Sequence, residues 1–288
     1  MSATMSVVIP CLNPSPDELA RAVASARQTP GVAETIVVDD GSEPPVSRDA
    51  ADVVVRLQAN AGPSAARNAG VAHARREFVL FLDCDDELLA DGVTALRDLM
   101  GKLGAIAGVA GRQIDEHGRL SLKPPPETWS GRALAAPGEV FRPIELFSAS
   151  GLLVARRAFE QGARFDHDLF IGEDRDFIRR LADLGPIAVS SSPIVRMHRD
   201  GASLTSSAHL SRRVRDHLVL LDRWCDAGSE ANFREATRWL INACSKASVP
   251  DETWRSLLAA ARSRGWGVAL KPRVRRTFRG RGSQRARA

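Results

Sequence analysis

Asp83-Cys84-Asp85-Asp86 closes the apolar run FVLFL of residues 78–82. Carboxylates this close repel one another and are costly to desolvate. A hard divalent cation with oxygen ligands relieves that cost, and Mg2+ or Mn2+ shared with a diphosphate is the natural occupant. Read locally, Asp86-Glu87 serves equally as an N-terminal helix cap. A second acidic pair, Asp39-Asp40, runs into Gly41-Ser42 and reads as a tight turn. A third, Glu173-Asp174, opens an amphipathic stretch, where acids complement the helix dipole.

Phosphate-cradling glycine loops are missing from the sequence. No GxGxxG follows a strand and no GxxxxGK[ST] occurs, so carboxylates and a bridging cation are expected to replace amide cradles. Cys11, Cys84, Cys225 and Cys244 form no CxxC pair, which argues against structural zinc. Four cysteines in 288 residues make no disulfide scaffold either, and a reducing cytosol is expected. Cys84 reads as a small filler, since a soft thiolate suits neither Mg2+ nor Mn2+.

The net charge of +5 first points to an acidic partner such as nucleic acid or a membrane surface. Its distribution says otherwise. Residues 271–288 hold eight basic residues and no acid, leaving 32 basic and 35 acidic residues in 1–270, a net of −3. The globular part is mildly acidic, so nucleic acid is not expected as a partner. The tail reads either as a solvated end or as a segment that docks on anionic lipid head groups. The start, MSATMSVVIP, lacks a signal-peptide pattern, and no apolar run approaches the ~20 residues of a spanning helix. A cytoplasmic enzyme is expected, with peripheral contact at the inner membrane face as the option the tail opens.

The elements that must position the acids follow from periodicity. SVVIP (6–10), TIVV (35–38), DVVVRL (52–57) and EFVLFL (77–82) are β-branched or apolar runs suited to strands buried on both faces. Helices are expected over 16–28, 64–74 and the stretch after Glu87. The alternation predicts an α/β fold with a mostly parallel central sheet flanked by helices, and ligands at the carboxyl ends of its strands. IAGVAGRQIDEHGRLSL reads as a hairpin turning at His117-Gly118. Residues 123–143 carry five prolines and read as a loop. A strand is expected over 148–156 and a short helix after it. An amphipathic helix follows over 173–185, with Phe177, Leu181 and Leu184 inward and Arg175, Arg179 and Asp183 outward. Three further helical segments lie over 208–264.

SVVIPCLN (6–13), ETIVVDDGS (34–42), NAGPSAARNAG (60–70), REFVLFLDCDD (76–86) and FIGEDRDFIRRL (170–181) occur in this order. Together they resemble family 2 glycosyltransferases over roughly residues 5–205. The resemblance implies a Rossmann-like glycosyltransferase-A fold over 1–205, with a helical extension over 206–270 and the basic tail over 271–288. It implies an inverting, metal-dependent transfer from a UDP- or dTDP-sugar to a hydroxyl of a glycan or lipid-linked acceptor, with Mn2+ or Mg2+.

By the same resemblance, Pro10, Leu12, Asn13, Asp40, Arg67 and Asp83 hold the nucleotide. Asp40 accepts from the base N3–H, and Asp83 binds the ribose. Asp85 ligates the metal with Asp86 as its rival. Asp174 is the base, and Glu173 orients the acceptor. His198 in VRMHRD is a third metal ligand or diphosphate contact, Arg196 or Arg199 clamps phosphate, and Gly201–Ser207 forms a lid. Leu12 stands where relatives place an aromatic, in a chain that has no tyrosine. Two other classes remain: a nucleotidyltransferase, disfavoured because PCLNPSP replaces the expected Gly-rich, Arg-containing loop, and a degenerate, non-catalytic binding protein docking by its basic tail.

Overall fold

The computed structural model describes residues 4–110, 113–119, 133–134 and 148–198, with positions 212, 215, 216, 219, 220 and 223 beyond them. The chain divides into two compact units, Met1–Leu204 and Thr205–Ala288. In the second, the described positions are helical. The tryptophan-bearing helices expected up to 264, the 201–207 lid and the tail lie outside the described residues, as do most of the 123–143 loop positions.

In the first unit, β1 (Met5–Cys11), β2 (Val32–Asp39), β3 (Val53–Arg56) and β4 (Phe78–Phe81) are parallel neighbours in the order β3-β2-β1-β4. Beyond β4 the sheet continues as β9 (Leu153–Ala155), β6 (Ala107–Ala110), β10 (Ile187–Ser190) and β8 (Ala133–Leu134). β9 and β8 run against the other six strands. A small second sheet has the order β5 (Glu87–Leu88), β11 (Val195–Met197), β7 (Gln113–Asp115).

The second arm of the expected hairpin, beyond Arg119, lies outside the described residues, and its first arm is split between the two sheets. The turn at His117-Gly118 exists, closed by the Gly118 N–H on the Asp115 carbonyl at 2.9 Å. β6, however, stays in the large sheet while β7 joins β11 in the small one. The 173–185 helix ends earlier, at Leu181, and Gly185 lies beyond its last turn.

Helices cover both faces of the large sheet. α1 (Pro16–Gln28) starts at Ser15 with a capping box, in which Ser15 and Glu18 satisfy each other's backbone N–H. Alternation along β1 sorts the layers. Val7 and Ile9 pack into a cluster with Leu19, Val23 and Ala26 of α1, and with Val93, Leu96 and Met100 of α3 (Ala90–Leu103). Val8 points to the other face, against α2 (Pro63–His73). There Gly70 lies so close that a Cβ would stand 2.4 Å from a Val8 methyl.

The same face carries four phenylalanines joining β4, α4 (Arg156–Glu160) and α5 (Glu173–Leu181). Phe81 meets Phe165 edge-on at 5.2 Å, and Phe165 stacks on Phe177 at 4.0 Å between ring centres. Phe159 stacks on Phe177 at 6.0 Å. As expected, Phe177 and Leu181 are fully buried on α5.

Candidate active site

The parallel strands β2, β1 and β4 end side by side, and their last residues carry the polar groups. At β1, Leu12 is 42% exposed, an exposure unusual among the large apolar side chains described here. Asn13 follows in a left-handed conformation, φ 49°. Its N–H donates to Ser42 Oγ at 2.8 Å, and its Oδ1 accepts the Glu43 N–H at 2.8 Å. Asn13 thus ties the β1 loop to the β2 loop. Pro10 ends the fully buried part of β1 and is itself half-buried.

The two acids after β2 have different jobs. Asp39 is fully buried and accepts the N–H groups of Ser42 and Val46 and the Arg56 guanidinium. Burial pushes its carboxyl up, but these hydrogen bonds outweigh it and hold the group below its usual range. Asp40 accepts Ala61 N–H at 2.8 Å on one oxygen and Gly62 N–H at 2.9 Å on the other. Burial there outweighs the two backbone bonds, and with the Asp39 charge it raises the Asp40 pKa. Each oxygen keeps a second lone pair.

After β4 the acids fan out. Asp83 is part-exposed, Asp85 is exposed and Asp86 is 3% exposed. Asp86 accepts the Ser150 hydroxyl at 2.7 Å and the His198 backbone N–H. Burial, with the Asp83 and Asp85 charges, holds its pKa well above the carboxylate range. Asp86 is thus an inward anchor between β4, β9 and β11. Asp85 presents its carboxyl at the surface, and enclosure together with Asp83 raises its pKa too. Of the two rivals for a cation, Asp85 is the one that faces outward. Cys84 and Cys11 are free thiols, and burial pushes the Cys11 thiol up to about 12.

Arg67 on α2 was expected beside the nucleotide. It lies against the acidic loop after β4, 5% exposed, and spends both terminal nitrogens on acids of two other motifs. Nη1 donates to Glu173 Oε1 at 2.8 Å and Nη2 to Asp83 Oδ1 at 3.0 Å. The guanidinium also lies over the Phe165 ring, 5.4 Å from its centre. Burial opposes its charge, but the Asp83 and Glu173 carboxylates prevail and raise its pKa further.

α5 begins at Gly172, whose φ of 84° favours glycine. Glu173 is buried against Arg67, and burial plus the Asp174 charge raise its pKa despite that partner. Asp174 is half-buried and accepts the Arg175 N–H at 2.8 Å on Oδ1. Its Oδ2 takes no hydrogen bond from the described residues. Two α5 arginines pair with acids one turn away, Arg180 with Asp176 at 2.8 Å and Arg179 with Asp183 at 3.2 Å.

His198 and Arg196 converge on Glu87, which local sequence treated as a cap. Arg196 Nη1 is 3.1 Å from Glu87 Oε2, and His198 Nε2 is 3.5 Å from Glu87 Oε1. Arg21 from α1 completes the cluster at 3.4 Å. Arg196 is therefore ion-paired rather than held open for phosphate, and Arg199 lies outside the described residues. No group of three or more His, Cys, Asp or Glu side chains among the described residues is arranged to hold a metal unaided. Ser150 and Asn68 escaped notice in the sequence, and Glu87 looked like no more than a cap, because their partners lie 64 to 109 residues away.

Residues 6–161, just over half the chain, match the family model described as Glycosyl transferase family 2. The chain belongs to that family. It is 33% identical over 185 residues to the succinoglycan biosynthesis protein ExoU of Rhizobium meliloti, covering 57% of this chain and 53% of ExoU. It is 32% identical over 158 residues to the GalNAc(5)-diNAcBac-PP-undecaprenol beta-1,3-glucosyltransferase of Campylobacter jejuni, covering 49% of this chain and 47% of that enzyme. The chain thus spans about half the length of these curated relatives. The crystal structure of S. aureus TarS 1-349 in complex with UDP-GlcNAc superposes with a TM-score of 0.65 at 20% identity, covering 89% of this chain and 79% of TarS. The fold of this family 2 chain is glycosyltransferase-A. No described helix is long and apolar enough to cross a membrane.

Proposed function

We propose that this family 2 protein is an inverting, metal-dependent glycosyltransferase that moves a sugar from a UDP- or dTDP-sugar to an acceptor hydroxyl in surface glycan synthesis. The observation that carries this reading is the convergence of three acidic motifs at one sheet edge, two of them joined through Arg67. Membership of the family and the UDP-GlcNAc bound in the TarS complex favour a nucleotide-sugar donor.

Asp40, with a free lone pair on each oxygen, would accept the N3–H of a uracil or thymine ring, and Leu12 would cover the ring face. Asp83, whose Oδ2 takes no hydrogen bond from the described residues and whose side chain is 36% exposed, would take a ribose hydroxyl. Asp85 fits a divalent cation because enclosure and Asp83 make its negative charge costly, and a cation offsets that cost. The donor set is all oxygen, which suits Mg2+ or Mn2+, and such ions need only one or two carboxylates when a diphosphate supplies the rest. When bound, the cation neutralises charge on the departing diphosphate.

Asp174 would take the acceptor hydroxyl proton through Oδ2. The acceptor oxygen then bonds to the anomeric carbon as the bond to the diphosphate oxygen breaks, inverting that carbon. Glu173, buried against Arg67, is better placed to fix the start of α5 than to receive a proton.

Asp85→Asn is expected to abolish the extra thermal stabilisation that Mn2+ gives to UDP binding. A ligand at 100 times its dissociation constant contributes about 2.7 kcal/mol, well within reach of the assay. Asp174→Asn is expected to cut nucleoside diphosphate release by about 100-fold or more while UDP still binds. Unchanged turnover in Asp174→Asn would remove the assigned base, and no response of the wild type to any nucleoside diphosphate would remove the donor class.

A further inference from the structure

α2 does more than cover the sheet. Asp40 holds the Ala61 and Gly62 amides at its start. From the same helix, two side chains reach the irregular segment 163–172 that leads into α5, and a third reaches the first residue of α5 itself. Ser64 Oγ donates to the Leu169 carbonyl at 3.4 Å, and Arg67 reaches Glu173. Asn68 makes a two-way clasp: Nδ2 donates to the Phe165 carbonyl at 2.9 Å, and Oδ1 accepts the Phe165 N–H at 2.9 Å. Its Nδ2 also lies 3.2 Å from His167 Nε2.

Backbone groups outside helix or strand need partners from elsewhere. At Phe165 both come from one side chain, 97 residues earlier in the chain. The Phe165 ring is packed between Phe81 and Phe177, so fixing its backbone fixes the approach to α5. Asn68 itself makes no hydrogen bond to Asp40, Asp83, Asp85 or Asp174.

We propose that Asn68 is a positioning residue for the Glu173–Asp174 pair, and that α2 thereby couples the donor-side loop held by Asp40 to the acceptor-side base. The proposal rests on the reading of Asp174 as that base. The clasp needs a donor and an acceptor on one planar group. An aspartate at 68 keeps the acceptor but sets a carboxylate oxygen against the Phe165 carbonyl, and an alanine loses both bonds.

Asn68→Ala and Asn68→Asp test it, with UDP release measured from whichever of UDP-glucose, UDP-galactose and UDP-GlcNAc the wild type uses fastest. A misplacement near 1 Å costs on the order of 100-fold, so kcat is expected to fall by about 30-fold or more while donor KM and UDP affinity stay within about threefold. Amide exchange over residues 165–175 is expected to rise by about tenfold, with β1 and β4 unchanged. A kcat near wild type, a parallel loss of UDP affinity, or unchanged exchange over 165–175 in either variant would each overturn the proposal. If the wild type releases UDP from none of the three donors, that choice of donors fails and not the proposal, and the exchange measurement alone decides whether Asn68 sets the start of α5.

Discussion

Replacing Arg67 with methionine isolates one charge while keeping an unbranched stem over Phe165. The two lost hydrogen bonds are not equal. The Asp83 side chain is 36% exposed, so water replaces much of that contact, and its loss costs under ~1 kcal/mol. The Glu173 side chain is 11% exposed, and stripping its partner leaves a buried carboxylate, a change that costs about 3–5 kcal/mol while the group stays ionised. Burial and Asp174 already raise the Glu173 pKa above its unfolded value of 4.5, and Arg67 opposes them. Without Arg67 it rises further. The folded state then binds the proton more tightly than the unfolded chain does.

Stability is therefore intact below the unfolded value and falls by about 1.4 kcal/mol per pH unit up to the new folded pKa. Urea unfolding at pH 5 and pH 8.5 checks this. The variant should lie within ~1 kcal/mol of wild type at the lower pH and fall up to about 2 kcal/mol below it at the higher one, because the wild-type carboxyl is itself pushed up to about 7. Adding Glu173→Gln should flatten the difference, because a neutral amide does not titrate. A loss equal at both pH values, or one the second substitution leaves untouched, would refute the account of Arg67 as the counter-charge of Glu173.

Two further substitutions probe the layers and the donor pocket. Gly70→Ala sets a methyl 2.4 Å from Val8 and 3.1 Å from Val38, and overpacking of this kind should destabilise by about 1–3 kcal/mol in urea unfolding. Leu12→Tyr restores an aromatic at an exposed apolar position, and aromatic stacking worth about 0.5–1.5 kcal/mol should tighten UDP binding roughly 2- to 12-fold by calorimetry; unchanged affinity would take Leu12 away from the base.

The outline of the donor half was legible because its signals are local. β-branched runs gave β1 to β4, and acids at strand ends pointed to the carboxyl edge. Periodicity placed Phe177 and Leu181 inward, and both are fully buried. The turn at His117-Gly118 is there, but its signature says only which residues reverse direction, not that the arm before it splits, β6 to the large sheet and β7 to the small one. In the sequence Arg67 looked like a nucleotide contact. Its burial comes from Phe165 and from acids 16 and 106 residues away.

By itself the sequence determined which residues can do chemistry and in what order they occur: Asp40, Asp83 to Asp86, Glu173 and Asp174, and through their joint pattern the family. Only the tertiary structure decided how neighbouring acids divide their roles. Asp85 and Asp86 are adjacent and identical in type, yet one faces solvent and the other accepts Ser150 and the His198 backbone from the interior. Glu173 and Asp174 divide likewise, one against Arg67 and one toward the surface. The physical reason is that a carboxylate's proton affinity and availability depend on burial and partners, and those partners come from chain segments that only folding brings together.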